Sequence, residues 1–534
     1  MWDLTQLQRA IHLEGRVNRR MFLAYGAALA GLPLLARQSH AAVLAQPKFS
    51  SNPFSLGVAS GDPTPSGVVL WTRLAPQPLE PQGGMLPMGV EVRWELAKDE
   101  TFKEIVATGK EVAAPEMGHS IHVEAEGLQP DRWYWYRFQV GDVVSPVGRT
   151  RTMPVADALP AKLRFAFASC QHYESGLFTA YEHMAKDELD LVVHLGDYIY
   201  EGAGKEVTEK NKLVRQHFGK KLINLDDYRA RHAQYRSDQH LQAMHGQCPW
   251  LVTWDDHEFE NNYANLISEK KDADPAQFLL QRASAYQVYY ESMPLRRQSV
   301  PRGPNMQLYR TSSFGRLAEF LVLDTRQYRS DQPNGDGAKE LNEAALSPNQ
   351  SMLGSEQKQW LKNSLQASTG VWNILAQQVM MGMVDLTEGP TAKYSMDQWP
   401  GCAHERMELM KFIADAKVAN PVVLTGDIHS NWVNELRVDD RKTDTPVVAT
   451  EFVGTSISSG GNGPKTNPKI DILKAENPCV KFLNLERGYV RCTVTPVEWR
   501  SDYVVVEEVT KPGAPAITRA SFVTQAGKPG AESV

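Results

Sequence analysis

The 534-residue chain is short of cysteine: it has five, Cys170, Cys248, Cys402, Cys479 and Cys492, and no two stand in a C-x-x-C pair. Zinc-ribbon and thioredoxin-type readings are thereby excluded. A basic excess is also lacking, since 57 Lys and Arg face 63 Asp and Glu for a net charge of −6. No global field favours a stable nucleic-acid partner or a membrane surface, and any charge that attracts an anion must be local, such as a bound metal. Beyond the first forty residues no apolar run approaches the roughly 20 residues needed to cross a bilayer, so no integral membrane segment is expected in the mature protein. Internal repeats and low-complexity tracts are missing as well, which excludes a repeat array.

What is present is an ordinary globular composition, 42% hydrophobic and 22% charged. The length exceeds what one core serves, so a large α/β domain and a smaller one are expected. Residues 1–42 read as an export address. Arg19-Arg20 precedes an apolar stretch from Met21 to Ala36, followed by small residues at Ser39, Ala41 and Ala42. This is the pattern of a cleaved twin-arginine-type signal peptide, which implies the twin-arginine export machinery as a partner and a periplasmic or secreted location.

Residues 53–152 carry short β-type runs, including Val68–Leu74, Val90–Leu96 and Trp133–Val140, with a Gly141-Asp142 turn. They predict an immunoglobulin-like or fibronectin-like β-sandwich. From residue 160 to 510 apolar runs alternate with amphipathic helices near 181–187, 226–245, 356–365 and 405–417, predicting a layered α/β domain. Residues 464–477 and the tail 511–534 read as loop, the tail because of Gly527, Pro529 and Gly530.

The apolar runs end in chemistry. Leu163–Ala168 leads into Ser169-Cys170-Gln171-His172, and Leu189–Leu195 into Gly196-Asp197-Tyr198-Ile199-Tyr200-Glu201. Pro249–Thr253 leads into Trp254-Asp255-Asp256-His257-Glu258, Phe320–Leu323 into Asp324-Thr325-Arg326, and Pro421–Thr425 into Gly426-Asp427-Ile428-His429. Sites in α/β folds collect at the carboxyl ends of strands, and five such ends converge here. Carboxylates suit hard cations, while thiolate, phenolate and imidazole suit a more polarising transition metal.

Gly196-Asp197-x-x-Tyr200, Asp256-His257-Glu258 and Gly426-Asp427-x-His429 resemble the motifs of calcineurin-type metallophosphoesterases. More specifically, Ala168-Ser-Cys-Gln171, Trp254–Glu258 with Asn261-Asn262, Leu323-Asp-Thr-Arg326 and Gly426–His429 with Trp432 resemble the alkaline phosphatase D family. Gly57–Pro63 and Leu70-Trp-Thr-Arg73 resemble that family's N-terminal domain. The resemblance implies a metallophosphoesterase-type layered α/β domain and a centre of Fe3+ and Ca2+ that splits small phosphate mono- or diesters by metal-activated hydroxide. It implies Cys170, Asp197, Tyr200 and His429 around iron, and Asp197 as a bridge, with Asp256 and Asp427, around calcium. A further ligand is expected from Gln377 or Gln378. His257 is expected to contact phosphate or protonate the leaving oxygen, and Arg326 to grip phosphoryl oxygens. With Cys170 on a metal, the other four cysteines suffice for up to two disulfides. The competing reading is a secreted, non-catalytic binding protein stapled by metal.

Overall fold

A computed structural model of the chain describes residues 43–44, 48–49, 51–208 and 212–534. The expected signal peptide, 1–42, lies outside the described residues. Among the described residues no helix is long and apolar enough to cross a membrane.

Two large sheets lie face to face. In the first, the strands Leu163–Ala168, Leu191–His194 and Trp250–Val252 run parallel as neighbours. Strands covered on both faces read as near-continuous apolar runs, as these do. The strand Arg487–Val494 continues this sheet antiparallel to Leu163–Ala168. In the second sheet, Ala318–Val322, Trp372–Ala376, Pro421–Thr425 and Ala449–Val453 run parallel in that order.

Strand periodicity divides the side chains between layers. Phe165 and Phe167 point between the sheets and pack with Phe320, Ile374, Leu424, Phe452 and Trp499. Phe165 meets Phe320 and Trp499 edge-on, with centroids 5.3 and 5.5 Å away. Ala166 and Ala168 point outward, where helices Leu225–Arg236, Gln239–His245 and Pro275–Ser292 cover the first sheet. Helices Gly354–Ala367 and Ala403–Asp415 cover the second. Fully burying one such aromatic or aliphatic side chain is worth about 1.5–3 kcal/mol, so this inter-sheet layer fixes the relative position of both sets of strand ends.

The N-terminal segment is divided between two sheets. Val58–Thr64, Gly67–Arg73 and Ser120–Glu126 extend the first large sheet, through parallel pairing of Gly61 with Trp250. Gly61 is required at this junction, because a Cβ there would lie 2.6 Å from the Pro294 carbonyl oxygen and 2.8 Å from that of Trp250. Gly89–Ala97, Ile105–Ala113, Trp133–Val140 and Gly148–Arg151 form a separate sheet. Its Val92, Leu96 and Phe138 pack on Val68, Leu70 and Val123 of the first. The expected boundary at residue 152 therefore does not separate the sheets.

Three other expectations are corrected. The tail is a hairpin, Ala516–Gln525 with Lys528–Ser533, at the edge of the first sheet. Residues 464–477 contain a helix, Lys469–Glu476. Among the described residues all five cysteines are free and buried. Cys248, Cys492, Cys402 and Cys479 belong to four different apolar clusters, too dispersed to pair.

Candidate metal centre

The strand ends converge in a strained conformation. Cys170, Asp197, Asp427 and His429 have φ values of 60, 54, 65 and 53°, in the left-handed region that side chains other than glycine seldom adopt. Such strain persists where the surrounding structure over-determines it, and it clusters at functional sites. Here backbone bonds hold the turns together: Cys170 N–H donates to the Gly196 carbonyl at 3.1 Å and Gln171 N–H to that of Asp197 at 3.1 Å.

One cluster gathers Cys170, Asp197 and His429, whose potential ligand atoms lie within 4.8 Å of one another. Tyr200 joins it. Its hydroxyl donates to Asp197 Oδ2 at 2.8 Å and lies 3.1 Å from His429 Nε2. Ser459 ties the cluster together: its Oγ donates to the Cys170 carbonyl at 2.7 Å and lies 2.7 Å from the Tyr200 hydroxyl. Burial, reinforced by Asp197, pushes the Cys170 thiol well above its usual range. Burial, reinforced by Arg487, brings His429 down to about 3, leaving a neutral imidazole.

The second cluster is carboxylate. Asp255, Asp256 and Asp427 converge within 4.8 Å, and Asp197 converges with Asp256 and His257. Asp197 thus belongs to both clusters. Glu258 fixes the loops beneath: its carboxylate accepts the N–H groups of Asp197 at 3.0 Å and Asp255 at 2.8 Å, and also that of Tyr198. Asn262 N–H donates to Asp256 Oδ2 at 2.7 Å. His257 Nδ1 lies 2.7 Å from Glu201 Oε2, and its ring lies 4.1 Å from that of Tyr200. Burial opposes the charged imidazolium of His257, but Glu201, Asp256 and Asp197 outweigh it and raise its pKa well above the ordinary value.

Arg326 lies against the carboxylate cluster. It is wholly buried, and each arm of its guanidinium meets a carboxylate. Nε reaches Asp255 at 2.5 Å, Nη1 reaches Asp397 at 2.8 Å, and Nη2 reaches Asp427 at 3.3 Å and Asp256 at 3.8 Å. Gln377 and Gln378 are likewise engaged. Gln377 donates to Thr425 Oγ1 at 2.7 Å and accepts from Trp399 Nε1 at 3.0 Å. Gln378 donates to Thr253 Oγ1 at 2.8 Å and accepts from Thr325 Oγ1 at 2.7 Å. Both hold strands together away from the carboxylates. Gln398 instead donates to Asp427 Oδ2 and borders a cavity of about 280 Å3 walled by Met380, Val384, Leu386 and Trp432.

The donors suit cations. Four carboxylates (Asp255, Asp256, Asp397 and Asp427) crowd Arg326 with Asp197 beside Asp256, and Asp255 Oδ2 is buried without a hydrogen-bond partner. Burial pushes Asp197 and Asp255 well above the carboxylate range and Asp427 up to about 6. Positive charge added at this point would relieve all three. An oxygen-rich set beside a thiol, phenol and imidazole set fits a hard ion next to a softer one.

A two-sheet α/β sandwich with such a centre at its strand ends defines a metal-dependent phosphoesterase. The comparisons agree and narrow it. The PhoD-like phosphatase family profile matches residues 165–503, and the profile of the PhoD-like phosphatase N-terminal domain matches 38–154. The chain is 53% identical to alkaline phosphatase D of Bacillus subtilis (strain 168) over 521 residues, covering 97% of this chain and 89% of that one. A solved structure of PhoD superimposes with a TM-score of 0.89 at 54% identity, covering 91% of this chain and 93% of the other. A purple acid phosphatase from yellow lupin seeds shares the fold, with a TM-score of 0.52 at 12% identity over 88% of this chain and 74% of that one. The chain belongs to the PhoD-like phosphatase family, and it is a phosphoric ester hydrolase. The non-catalytic alternative gives way to that membership.

Proposed function

We propose that this chain is an exported phosphatase acting on phosphate monoesters and diesters, with Fe3+ held by Cys170, Asp197, Tyr200 and His429. Ca2+ is held by Asp197, Asp256 and Asp427, with Asp255 at hand as a further oxygen donor. The observation that carries this reading is the membership of Asp197 in both donor clusters. Cations so placed act as Lewis acids toward a phosphoryl group and lower the pKa of water toward about 7. The side chains around them divide the remaining work. His257, anchored through Nδ1 by Glu201, contacts the phosphoryl group or delivers a proton to the departing oxygen. Arg326 holds the carboxylates apart in the positions they need. The cavity beside Gln398 and Trp432 takes the organic part of the ester. The paired arginines and small residues of the leader support export by the twin-arginine route.

The test uses purified protein with para-nitrophenyl phosphate and its bis ester. Hydrolysis is expected to disappear on calcium chelation and to return with calcium, and the two rates rank monoester against diester. Fully metal-loaded protein that hydrolyses neither ester would overturn this substrate assignment.

The carboxylates also predict a pH signature. The pKa of Asp427 stands at about 6 in the folded chain against an ordinary 3.8. Across that window Asp427 keeps its proton in the metal-free folded state and loses it in the unfolded one, so this carboxyl's own contribution to stability falls as pH rises. Calcium competes with those protons. The rise in Tm on adding calcium is therefore expected to grow from pH 3.8 to above pH 6. Differential scanning calorimetry with and without calcium checks this, and a pH-independent increment would place calcium elsewhere.

A further inference from the structure

Beside the centre just described, three side chains that it does not use face one another. His172 follows the Cys170 turn, Glu174 lies two residues further on, and His217 comes from the segment that returns over them. Their potential ligand atoms lie within 4.8 Å of one another. Glu174 Oε2 is 3.9 Å from His172 Nε2 and 3.5 Å from His217 Nδ1. For metal–nitrogen and metal–oxygen bonds of about 2.0–2.2 Å, tetrahedral ligand atoms stand about 3.4 Å apart. The observed spacings are close to that before any ion draws them in.

The opposite side of each group is already tied down. His172 Nδ1 lies 2.6 Å from Ser175 Oγ, and His217 Nε2 lies 2.8 Å from the Tyr235 hydroxyl. Glu174 Oε1 accepts the N–H of Lys205 at 2.8 Å and that of His217 at 3.0 Å. This is how metal-binding imidazoles and carboxylates are oriented: the atom away from the ion is held by a fixed partner. What lacks a partner is the inward atom. His217 Nδ1 is buried without a hydrogen bond, and the His217 and Glu174 side chains are each only 1% exposed. The His172 side chain is 20% exposed and gives this side of the group access to solvent. A buried polar atom without a partner is costly, and an ion in this position would supply the partner.

We propose that His172, Glu174 and His217 form a third metal site, separate from the Asp197 centre, that takes a borderline divalent cation such as Zn2+ through His172 Nε2, Glu174 Oε2 and His217 Nδ1, with solvent in the fourth position. Two nitrogens and one carboxylate oxygen suit zinc better than calcium, which requires six to eight oxygens. The ring of Tyr200 stands between the two sites, edge-on to His172 at 4.7 Å and against His257 at 4.1 Å. The ion ties His217, and with it the segment carrying Lys205, down onto the Cys170 turn. Its role is to hold that segment in place beside the Asp197 centre.

The test locates and weighs zinc without using catalysis. Crystals of the full-length mature protein grown with one equivalent of Zn2+ beyond the metals purified with it are measured on both sides of the zinc absorption edge. An anomalous peak bounded by His172, Glu174 and His217, distinct from any peak at Asp197, is expected. By isothermal titration, Glu174→Gln, which keeps the shape and an acceptor for the two N–H groups, is expected to weaken zinc at this site at least about 100-fold. Tyr235→Phe, which removes only the support of His217, is expected to weaken it about 10–100-fold. Absence of the peak, or zinc affinity unchanged in both variants, would overturn the site and leave the phosphatase centre untouched.

Discussion

Asp197→Ala is expected to lower kcat toward para-nitrophenyl phosphate by on the order of 10^4-fold, the scale seen when a member of a tightly coupled catalytic unit is removed. The magnitude follows from position. Asp197 is the one carboxylate that belongs with Cys170 and His429 on one side and with Asp256 and His257 on the other. It also accepts the Tyr200 hydroxyl at 2.8 Å, so its loss frees the phenol as well. Both clusters should therefore lose affinity together, and metal analysis of the purified variant should show depletion of both ions. Asp197→Asn separates charge from shape. An amide retains an acceptor for Tyr200 but removes the anion, so it should keep the fold and lose the metals almost as fully. The fold should survive either change, because Glu258 holds the N–H groups of Asp197 and Asp255 independently of the Asp197 side chain. A variant that binds its full complement of metal and turns over normally would remove Asp197 from the centre.

Much of this site could be read from the chain because the chemistry is local to strand ends. Leu163–Ala168, Leu191–His194 and Pro421–Thr425 are apolar on both faces, so their lengths and ends are visible in the composition, and Cys170, Asp197, Asp427 and His429 follow within a few residues. The supporting residues were not visible. Asp397 reaches Arg326 from just beyond a strand of only two residues, Tyr394–Ser395, and Ser459 follows Ala449–Val453, a strand with Thr450 and Glu451 buried inside it. Helix Pro275–Ser292, the longest described, was missed although Asp274 caps its N-terminus through the N–H groups of Ala276 and Gln277, with Pro275 in the first turn. Sheet partnership was hidden for a different reason. Val58–Thr64, with Gly61, Asp62 and Pro63 inside it, shows no alternation that marks a strand, and nothing in it reveals that its neighbour is Trp250, nearly two hundred residues away. In the tail, Pro529 and Gly530 suggested loop, yet they lie on the outermost strand of the sheet, where proline is tolerated.

Arg326→Met distinguishes two roles for the arginine by where the damage appears. If the guanidinium organises carboxylates, its removal leaves Asp255, Asp256, Asp397 and Asp427 facing one another in a buried space. Breaking a buried ionic cluster by removing one partner costs about 3–5 kcal/mol. The metal-free variant is therefore expected to be destabilised by about that amount in thermal or denaturant unfolding. Saturating calcium should restore much of the loss, because a cation supplies the positive charge the variant lacks. Calcium dependence of Tm should accordingly be steeper in the variant than in the parent chain. Arg326→Lys should fall between the two: it restores charge, but one ammonium cannot replace three arms that each address a different carboxylate. A phosphate-gripping arginine would behave otherwise. Its loss would raise KM and weaken inhibition by inorganic phosphate while leaving the metal-free stability near that of the parent. Arg329 can take up little of the charge, since its Nη1 lies 3.1 Å from Oδ1 of Asp397, which belongs to neither donor cluster. The stability and its calcium dependence, measured together, therefore assign Arg326 to the carboxylates or to the substrate.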